Sequence, residues 1–473
     1  MGLFNAIVIC ADTFRADHLG CYGNQWISTP NLDRLASEGI LFEQCFAEAL
    51  PTIPARKAYF TGRPLFPWWE VRRYKGDPLS RQPGWHPLHE HEVTIPEILN
   101  PQGYVTALVA DTYHMFKPGM NLARGFSSWR FVRGQEADPF RVGPREALPR
   151  LAEPYTGLDG ADMQRSSLPQ GGGTRQYLLN NQERRAEQDY LVARVMREAA
   201  TWLDDVVSRK QSGAAEEHPP FFMWVDCFDP HEPWDPPRDY ADRYDPGFSG
   251  PEPVFVLRHF WDRLPPEHQR RAKALYAGEV SLVDRWIGHL LEKLEALGVA
   301  DETAVFFTTD HGTILGEHGR LHKSPETLIA PETQLPFIGR LPKAHPSARA
   351  GARVRGFVQS YDVLPTVLDA MGATRPDFLI GRSALPLLNG AAPRDHVVSA
   401  YTDHASYRTP EWNLLTAYAD RRPNGTARLY DLVADPAEAT DVAEQHPAVV
   451  EELLKRLQGV MDEAPPALPP VEG

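Results

Sequence analysis

Residues 4–12 read Phe-Asn-Ala-Ile-Val-Ile-Cys-Ala-Asp. The run Ala6–Ala11 is apolar without alternation, which suits a strand covered on both faces. A second such run, Ala304-Val-Phe-Phe-Thr308, lies far along the chain, and Val105–Ala110, Pro220–Val225 and Pro336–Gly339 are shorter candidates. Between them fall helical patterns: Asn31–Glu38, Gln182–Val207 with Leu191, Val195, Ala199 and Leu203 at helical spacing, and Arg270–Leu297. Strands alternating with helices predict an α/β fold, a mostly parallel central sheet with helices on both faces.

Two stretches depart from this rhythm. Phe116–Gln176 is rich in Gly, Pro and Arg, including Gly171-Gly-Gly173, and reads as an irregular surface insertion, a lid or packing arm. After Leu387-Leu-Asn-Gly390 come short alternating segments, Val397–Tyr401 and Asn413–Ala417, then a helix over Ala448–Asp462 and a Pro-rich tail. A main domain over 1–390 and a smaller C-terminal subdomain of antiparallel strands plus a helix over 391–473 are expected.

The composition narrows the function. Among 473 residues, 42% hydrophobic and 24% charged, global disorder is excluded. Lys plus Arg number 49 against 63 Asp plus Glu, a net charge of −14, so nucleic acid is not an expected partner. Cations that meet an anionic substrate must be concentrated locally. The apolar runs fall far short of the ~20 residues that span a bilayer, so no membrane partner is expected. Only Met1–Asn5 precede the first run, without a charged n-region or cleavage site, and a cytoplasmic address is the expectation. Cys10, Cys21, Cys45 and Cys227 lack CxxC spacing, which predicts reduced, mostly buried thiols.

Chemistry gathers where strands end. Asp12 emerges at the carboxyl end of the first strand, where open parallel sheets place ligands, although such an Asp equally serves as a helix cap. Thr308-Thr-Asp-His-Gly312 puts Asp310 and His311 at a second strand end, as a turn or as hard oxygen and nitrogen ligands for one divalent ion. In Leu50-Pro-Thr-Ile-Pro-Ala-Arg56, Thr52 stands at a helix start that favours negative charge, with Arg56 one turn on. A hydroxyl beside a metal and a guanidinium has what an activated nucleophile needs; the plain alternative is a cap and a surface cation. His231, on the Pro-flanked loop Asp229-Pro-His-Glu-Pro233, is placed as an acid or anion donor, or as a satisfied core histidine.

Together these segments resemble the sulfatase branch of the alkaline phosphatase superfamily, along most of the chain. Asp12-Thr-Phe-Arg-Ala-Asp17…Leu19-Gly-Cys-Tyr-Gly23 is similar to its first metal motif, and Thr29–Phe42 to the usual continuation. Thr52-x-Pro-x-Arg56…Thr61-Gly-Arg63 sits on the nucleophile signature. Asp229–Pro233, Thr309-Asp-His-Gly312, Gly316-Glu-His-Gly…Lys323, Tyr361–Thr366 and Leu429-Tyr-Asp-Leu…Asp435-Pro436 follow in family order. The resemblance implies an alkaline-phosphatase-like three-layer α/β/α sandwich. It also implies one divalent ion (Zn, Mn or Ca) on Asp12, Thr52, Asp310 and His311, with Arg56, His231 and Lys323 as catalytic partners of Thr52.

The departures from the family pattern decide the expected reaction. Sulfatases carry Cys or Ser at the first signature position and convert it to formylglycine; threonine cannot be oxidised to that aldehyde, so Thr52 is expected to act directly. The Asp-Asp pair of many sulfatases is here Ala11-Asp12. Asp226, Asp229, His231 and His322 are candidates for a second ion, but without the Asp-x-x-x-His spacing of two-zinc relatives. Where sulfatases write Gly-Lys-Trp-His, Asp111 replaces the anion-holding lysine, or simply caps a turn. Thr112, Tyr113 and His322 are the further substrate-binding candidates, Thr112 and Tyr113 as hydroxyl donors of the kind found in phosphonate monoester hydrolases. The expected activity is hydrolysis of a small anionic phosphodiester or phosphonate monoester through a covalent Thr52 intermediate. A sulfate-ester hydrolase using unmodified threonine is the nearest rival; a phosphotransferase and a non-catalytic binding protein follow, and a homo-oligomer is compatible with any of them.

Overall fold

The computed structural model describes residues 3–68, 82–117, 119–143, 173–208, 219–256 and 261–463. The first apolar run is β1 (Asn5–Ala11), and its residues face alternately into two cores. Ile7, Ile9 and Ala11 pack into one, Ala6, Val8 and Cys10 into the other. Burial on both faces is the reason the run lacks polar alternation.

In chain order the remaining strands are β2 (Ile40–Phe46), β3 (Ala49–Leu50), β4 (Val105–Ala110), β5 (Ser128–Phe131), β6 (Phe221–Cys227) and β7 (Thr303–Thr308). They continue with β8 (Gln334–Arg340), β9 (Ala352–Gln359), β10 (Val397–Tyr401), β11 (His404–Arg408), β12 (Trp412–Ala419), β13 (Arg422–Pro423) and β14 (Arg428–Asp431). The large sheet has the order β5-β4-β6-β1-β7-β8-β2-β9. Only β8 runs against its neighbours. On one face lie the helices Pro30–Glu38, Leu191–Ser208 and Pro266–Ala296, and on the other Thr52–Thr61 and Val363–Met371, giving three layers.

Register sets the site. Cys10 of β1 is level with Asp226 of β6 and with Thr308 of β7. Asp12 and Asp310 therefore leave the sheet two residues beyond matched positions on adjacent strands, and Asp226 flanks them on the other side.

The expected strands are present to within a residue or two. The expected helix Gln182–Val207 is not continuous: it begins at Leu191, preceded by a separate helix Gly173–Asn181 and a single tight turn Glu187–Asp189. Asp189 accepts the backbone N–H groups of Arg185 and Ala186 at 2.9 Å each, which closes a turn where a helix would have to pass. Within the expected insertion 116–176, Ser128–Phe131 forms the edge strand of the large sheet, while 144–172 lie outside the described residues. All four cysteines are free and three are buried. Among the described residues no helix is long and apolar enough to cross a membrane.

The second sheet, β13-β12-β11-β10-β3 with β14 against β12, is antiparallel except where β10 pairs with β3. The helix Pro447–Asp462 packs on it through Leu453, Leu457 and Met461. Since β3 comes from the N-terminal part of the chain, the segment from β2 to Thr52 crosses from one sheet to the other just before the helix starts. Glu438 fastens the second sheet to the main body. Fully buried, it accepts from Arg408 (2.7 Å), Asn413 Nδ2 (2.6 Å) and the backbone N–H of Ala330 (2.7 Å). Glu438→Ala would strand the Arg408 guanidinium, so urea denaturation should show a loss of about 3–5 kcal/mol, with Glu438→Gln intermediate.

Candidate active site

The buried guanidinium of Arg56 is the centre of the arrangement. Its Nη1 donates to Asp310 Oδ2 at 2.6 Å, its Nη2 lies 3.1 Å from Asp12 Oδ2, and Nη2 and Nε reach Asp226 at 2.8 and 2.9 Å. Three carboxylates from the ends of β1, β6 and β7 thus share one cation. Arg56 reaches them because Thr52–Thr61 forms a helix whose first turn abuts the strand ends. Nη1 also donates to the Thr52 carbonyl at 3.1 Å, so the same nitrogen that binds Asp310 holds the backbone of Thr52. Thr52 is buried and opens the helix, where the dipole favours a developing negative charge.

Asp12, Asp310 and His311 are fully buried, and one ligand atom from each lies within 4.8 Å of the others. Asp310 Oδ1 accepts the N–H groups of Thr13 (3.0 Å) and His311 (2.8 Å), which turns Oδ2 inward. His311 Nδ1 donates to the Gly312 carbonyl at 2.7 Å, leaving Nε2 as the acceptor. Nε2 has no hydrogen-bond partner and lies 3.6 Å from Asp310 Oδ2 and 4.0 Å from Asp12 Oδ1. Asp12 Oδ2 likewise lacks a hydrogen bond. A buried imidazole acceptor without a hydrogen bond, oriented by its other nitrogen and set near two carboxylates, fits a divalent cation.

The protonation tendencies agree with that fit. Burial and the neighbouring Asp310 charge push the Asp12 carboxyl well up, as expected of two carboxylates short of positive charge. Burial lowers His311 to about 4, so the imidazole is neutral and able to act as a ligand. Against the effect of burial, the Arg56 guanidinium and the Thr13 N–H hold Asp310 well below the usual carboxylate range.

A second group forms the adjoining wall. Lys323 Nζ lies 2.6 Å from His231 Nε2, and His231 Nδ1 lies 2.8 Å from the Glu232 carbonyl. The carbonyl can only accept, which assigns the proton to Nδ1 and makes Nε2 the acceptor of a Lys323 proton. Burial lowers His231 to about 4, with Lys323 acting in the same direction. Burial also works against the charge on Lys323, but Glu232 and Asp12 outweigh it and raise its pKa. The His231 ring stacks on Phe228, 4.2 Å between centroids.

The remaining sequence candidates divide. The Thr112 hydroxyl donates to Asp226, and His322 Nε2 donates to the Val256 carbonyl at 2.6 Å, so both are used in holding the wall. Tyr113 is half-buried beside His114. Asp111 accepts the Phe228 N–H at 2.8 Å and Gln135 Nε2 at 3.3 Å, anchoring the loop that carries His231. The candidates for a second ion do not converge: Asp226 is bound by Arg56 and by Trp224 Nε1 (3.0 Å), Asp229 by Gln135 (2.8 Å) and the Val192 N–H (3.0 Å). Among the described residues only Asp12, Asp310 and His311 form such a group. Sequence reasoning missed the His114–Glu136 ion pair. Burial raises the Glu136 carboxyl, but His114 beside it, with lesser help from His231 and Lys323, brings it to about 2. No local motif marks Glu136, which lies in the stretch read as irregular.

The chain matches the Sulfatase family model over residues 5–373 and the model for N-sulphoglucosamine sulphohydrolase, C-terminal, over residues 316–463. It is 25% identical to the iduronate 2-sulfatase of Mus musculus, covering 82% of this chain and 68% of that protein. To the N-acetylglucosamine-6-O-sulfatase of Bacteroides thetaiotaomicron it is 25% identical, covering 93% and 82%. Its fold is that of the phosphonate monoester hydrolase of Agrobacterium radiobacter, with a TM-score of 0.69 at 20% identity over 97% of this chain and 95% of that one. The phosphonate monoester hydrolase from Silicibacter pomeroyi gives 0.63 at 21% identity over 96% and 94%. Because the family match spans every strand of the large sheet and both halves of the buried carboxylate cluster, the chain belongs to the sulfatase family and is a hydrolase acting on ester bonds.

Proposed function

We propose that this hydrolase cleaves phosphodiester or phosphonate monoester bonds by double displacement through Thr52. The observation that carries the reading is a threonine, backbone-locked by Arg56 next to Asp310, at the position where the family resemblance calls for formylglycine. A threonine ester is released only by attack of water on the central atom, a step better suited to phosphorus than to a stable alkyl sulfate. The likeness in fold to phosphonate monoester hydrolases supports the same choice.

Asp12, Asp310 and His311, with the Thr52 hydroxyl as fourth ligand, would hold one divalent ion, Zn, Mn or Ca. When bound, that ion supplies Lewis-acid charge that favours the ionised hydroxyl. Arg56 fixes the Thr52 backbone and balances the three carboxylates. In the first displacement the Thr52 hydroxyl, its proton released to solvent, forms the Oγ–P bond as the bond to the leaving oxygen breaks. The proton for that oxygen comes from the Lys323–His231 pair, in which Lys323 Nζ holds it at rest. Water, giving a proton back to the Lys323–His231 pair, then attacks phosphorus, and the Oγ–P bond breaks to restore Thr52. The second reading, direct sulfuryl transfer by the same threonine, is favoured by the sulfatases among the relatives.

Metal analysis by plasma mass spectrometry should find one equivalent of divalent metal, with His311→Ala and Asp310→Asn depleted of it and inactive. A second equivalent that survives in both variants would disprove the single-ion assignment.

Peptide mass spectrometry should show Thr52 unmodified. With aryl substrates that differ only in the transferred group, kcat/KM should be higher for the diester or phosphonate than for the sulfate. Thr52→Ala should lose more than about a thousandfold in kcat on the preferred substrate while melting normally. A clear preference for the sulfate ester, abolished by Thr52→Ala, would establish the second reading instead.

A further inference from the structure

A cleft of about 540 Å³ lies beside the edge strand β5, lined by Arg130, Arg133, Arg194 and Arg197 together with Phe131 and Phe140; Glu198 is its acidic member. In a chain of net charge −14, four guanidinium groups on one concave surface are a local reversal of sign. Two of them are already balanced. Arg130 pairs with Glu198 (3.0 Å) and Asp205 (2.9 Å), and Arg133 with Asp138 (2.6 Å). The other two are not: among the described residues neither Arg194 nor Arg197 has a carboxylate in an ion pair. They stand three residues apart on the helix Leu191–Ser208 and so share a face. Arg194 is half-buried and its guanidinium donates to the Arg133 carbonyl at 3.3 Å. Burial lowers its pKa by more than the carboxylates of Asp111, Glu198 and Asp189 raise it.

The cleft is also pre-shaped. The Arg133 guanidinium lies 5.3 Å from the centre of the Phe131 ring and 5.4 Å from that of Phe140, which limits its orientation. Arg133 and Arg194 line the cleft near the carboxyl ends of the parallel strands, the end that carries Thr52. Arg133 follows the last residue of β5 closely, and Arg194 is in the first turn of its helix, next to Val192, whose N–H binds Asp229. From Arg133 to Glu136, which faces His114 on the active-site wall, the chain can span at most ~11 Å.

We propose that this cleft binds a second oxyanionic group, a phosphate, sulfate or carboxylate, carried by the same substrate molecule whose ester reacts at Thr52. Arg194 and Arg197 are its ligands, and Arg133 forms the floor. The enzyme then selects polyanionic esters over singly charged ones, without any change in the chemistry at Thr52. The ester clause rests on the function proposed above; the oxyanion site itself does not.

Two measurements on the full-length protein separate these. In the first, kcat/KM is compared for an aryl diester with a neutral far end and for its analogue bearing a phosphonate ~14 Å from the reacting phosphorus, the three strand spacings that separate β5 from β1. The wild type should prefer the doubly anionic substrate about tenfold. Arg194→Gln/Arg197→Gln should bring the ratio near one and leave the singly charged substrate unchanged; Arg197→Gln alone, an exposed position, should lower it partway. In the second, inorganic pyrophosphate is titrated calorimetrically into wild type and double variant, and the variant should lose one binding event or weaken it at least tenfold. Identical isotherms overturn the site. A lost isotherm with an unchanged substrate preference overturns the proposal in favour of a site for free anion. If the wild type hydrolyses neither diester, the function proposed above fails and the isotherms alone decide the cleft.

Discussion

One guanidinium binds three buried carboxylates from three neighbouring strands. Without Arg56, Asp12, Asp226 and Asp310 would bring three negative charges into a water-excluded core with nothing to offset them. Much of the local architecture serves this contact. The helix Thr52–Thr61 must begin against the strand ends, the β1–β6–β7 register must put the carboxylates level, and β3 must bring the chain across from the large sheet at the right point. The threonine hydroxyl at the helix start is positioned by the same contact, because Arg56 grips its carbonyl. Stability and placement of Thr52 are therefore coupled, and His311 Nε2, buried beside two carboxylates without a hydrogen bond, is arranged to receive the positive charge still missing.

The wall opposite shows how a lysine lost from the family pattern is absorbed. Asp111 does not face the reacting group as an unbalanced charge; it caps the Phe228 amide and holds Gln135, which in turn holds Asp229. That chain of contacts sets the loop on which His231 meets Lys323. Positive charge stands in two other places, at Lys323 inside the site and in the arginine cleft at the sheet edge.

Much of this was legible in the chain. Unbroken apolar runs announced the two-faced strands, and Asp12, Thr52, Asp310 and His311 stood out because each follows a strand or opens a helix. The strands β2 and β9 were harder to see: Glu43-Gln44 interrupts one, and Arg353 and Arg355 alternate through the other, as suits positions toward the sheet edge that need cover on one side only. The break before Leu191 was hidden because helical spacing continues through it, while the interaction that ends the helix, Asp189 on two backbone amides, is visible only in three dimensions.

Sequence by itself determined the layer architecture, the family and the residue types at the reacting centre, since these depend on local periodicity and on short motifs whose chemistry is carried by neighbouring residues. Tertiary structure alone decided how the charges are shared. That Asp226 serves Arg56 and Asp229 serves the backbone, that His231 is neutral against Lys323, and that Arg194 and Arg197 have no carboxylate ion-pair partner among the described residues all follow from distances of a few ångströms between residues far apart in the chain. Electrostatic energy falls with separation in space and is indifferent to separation in sequence, which is why no motif could announce these pairings.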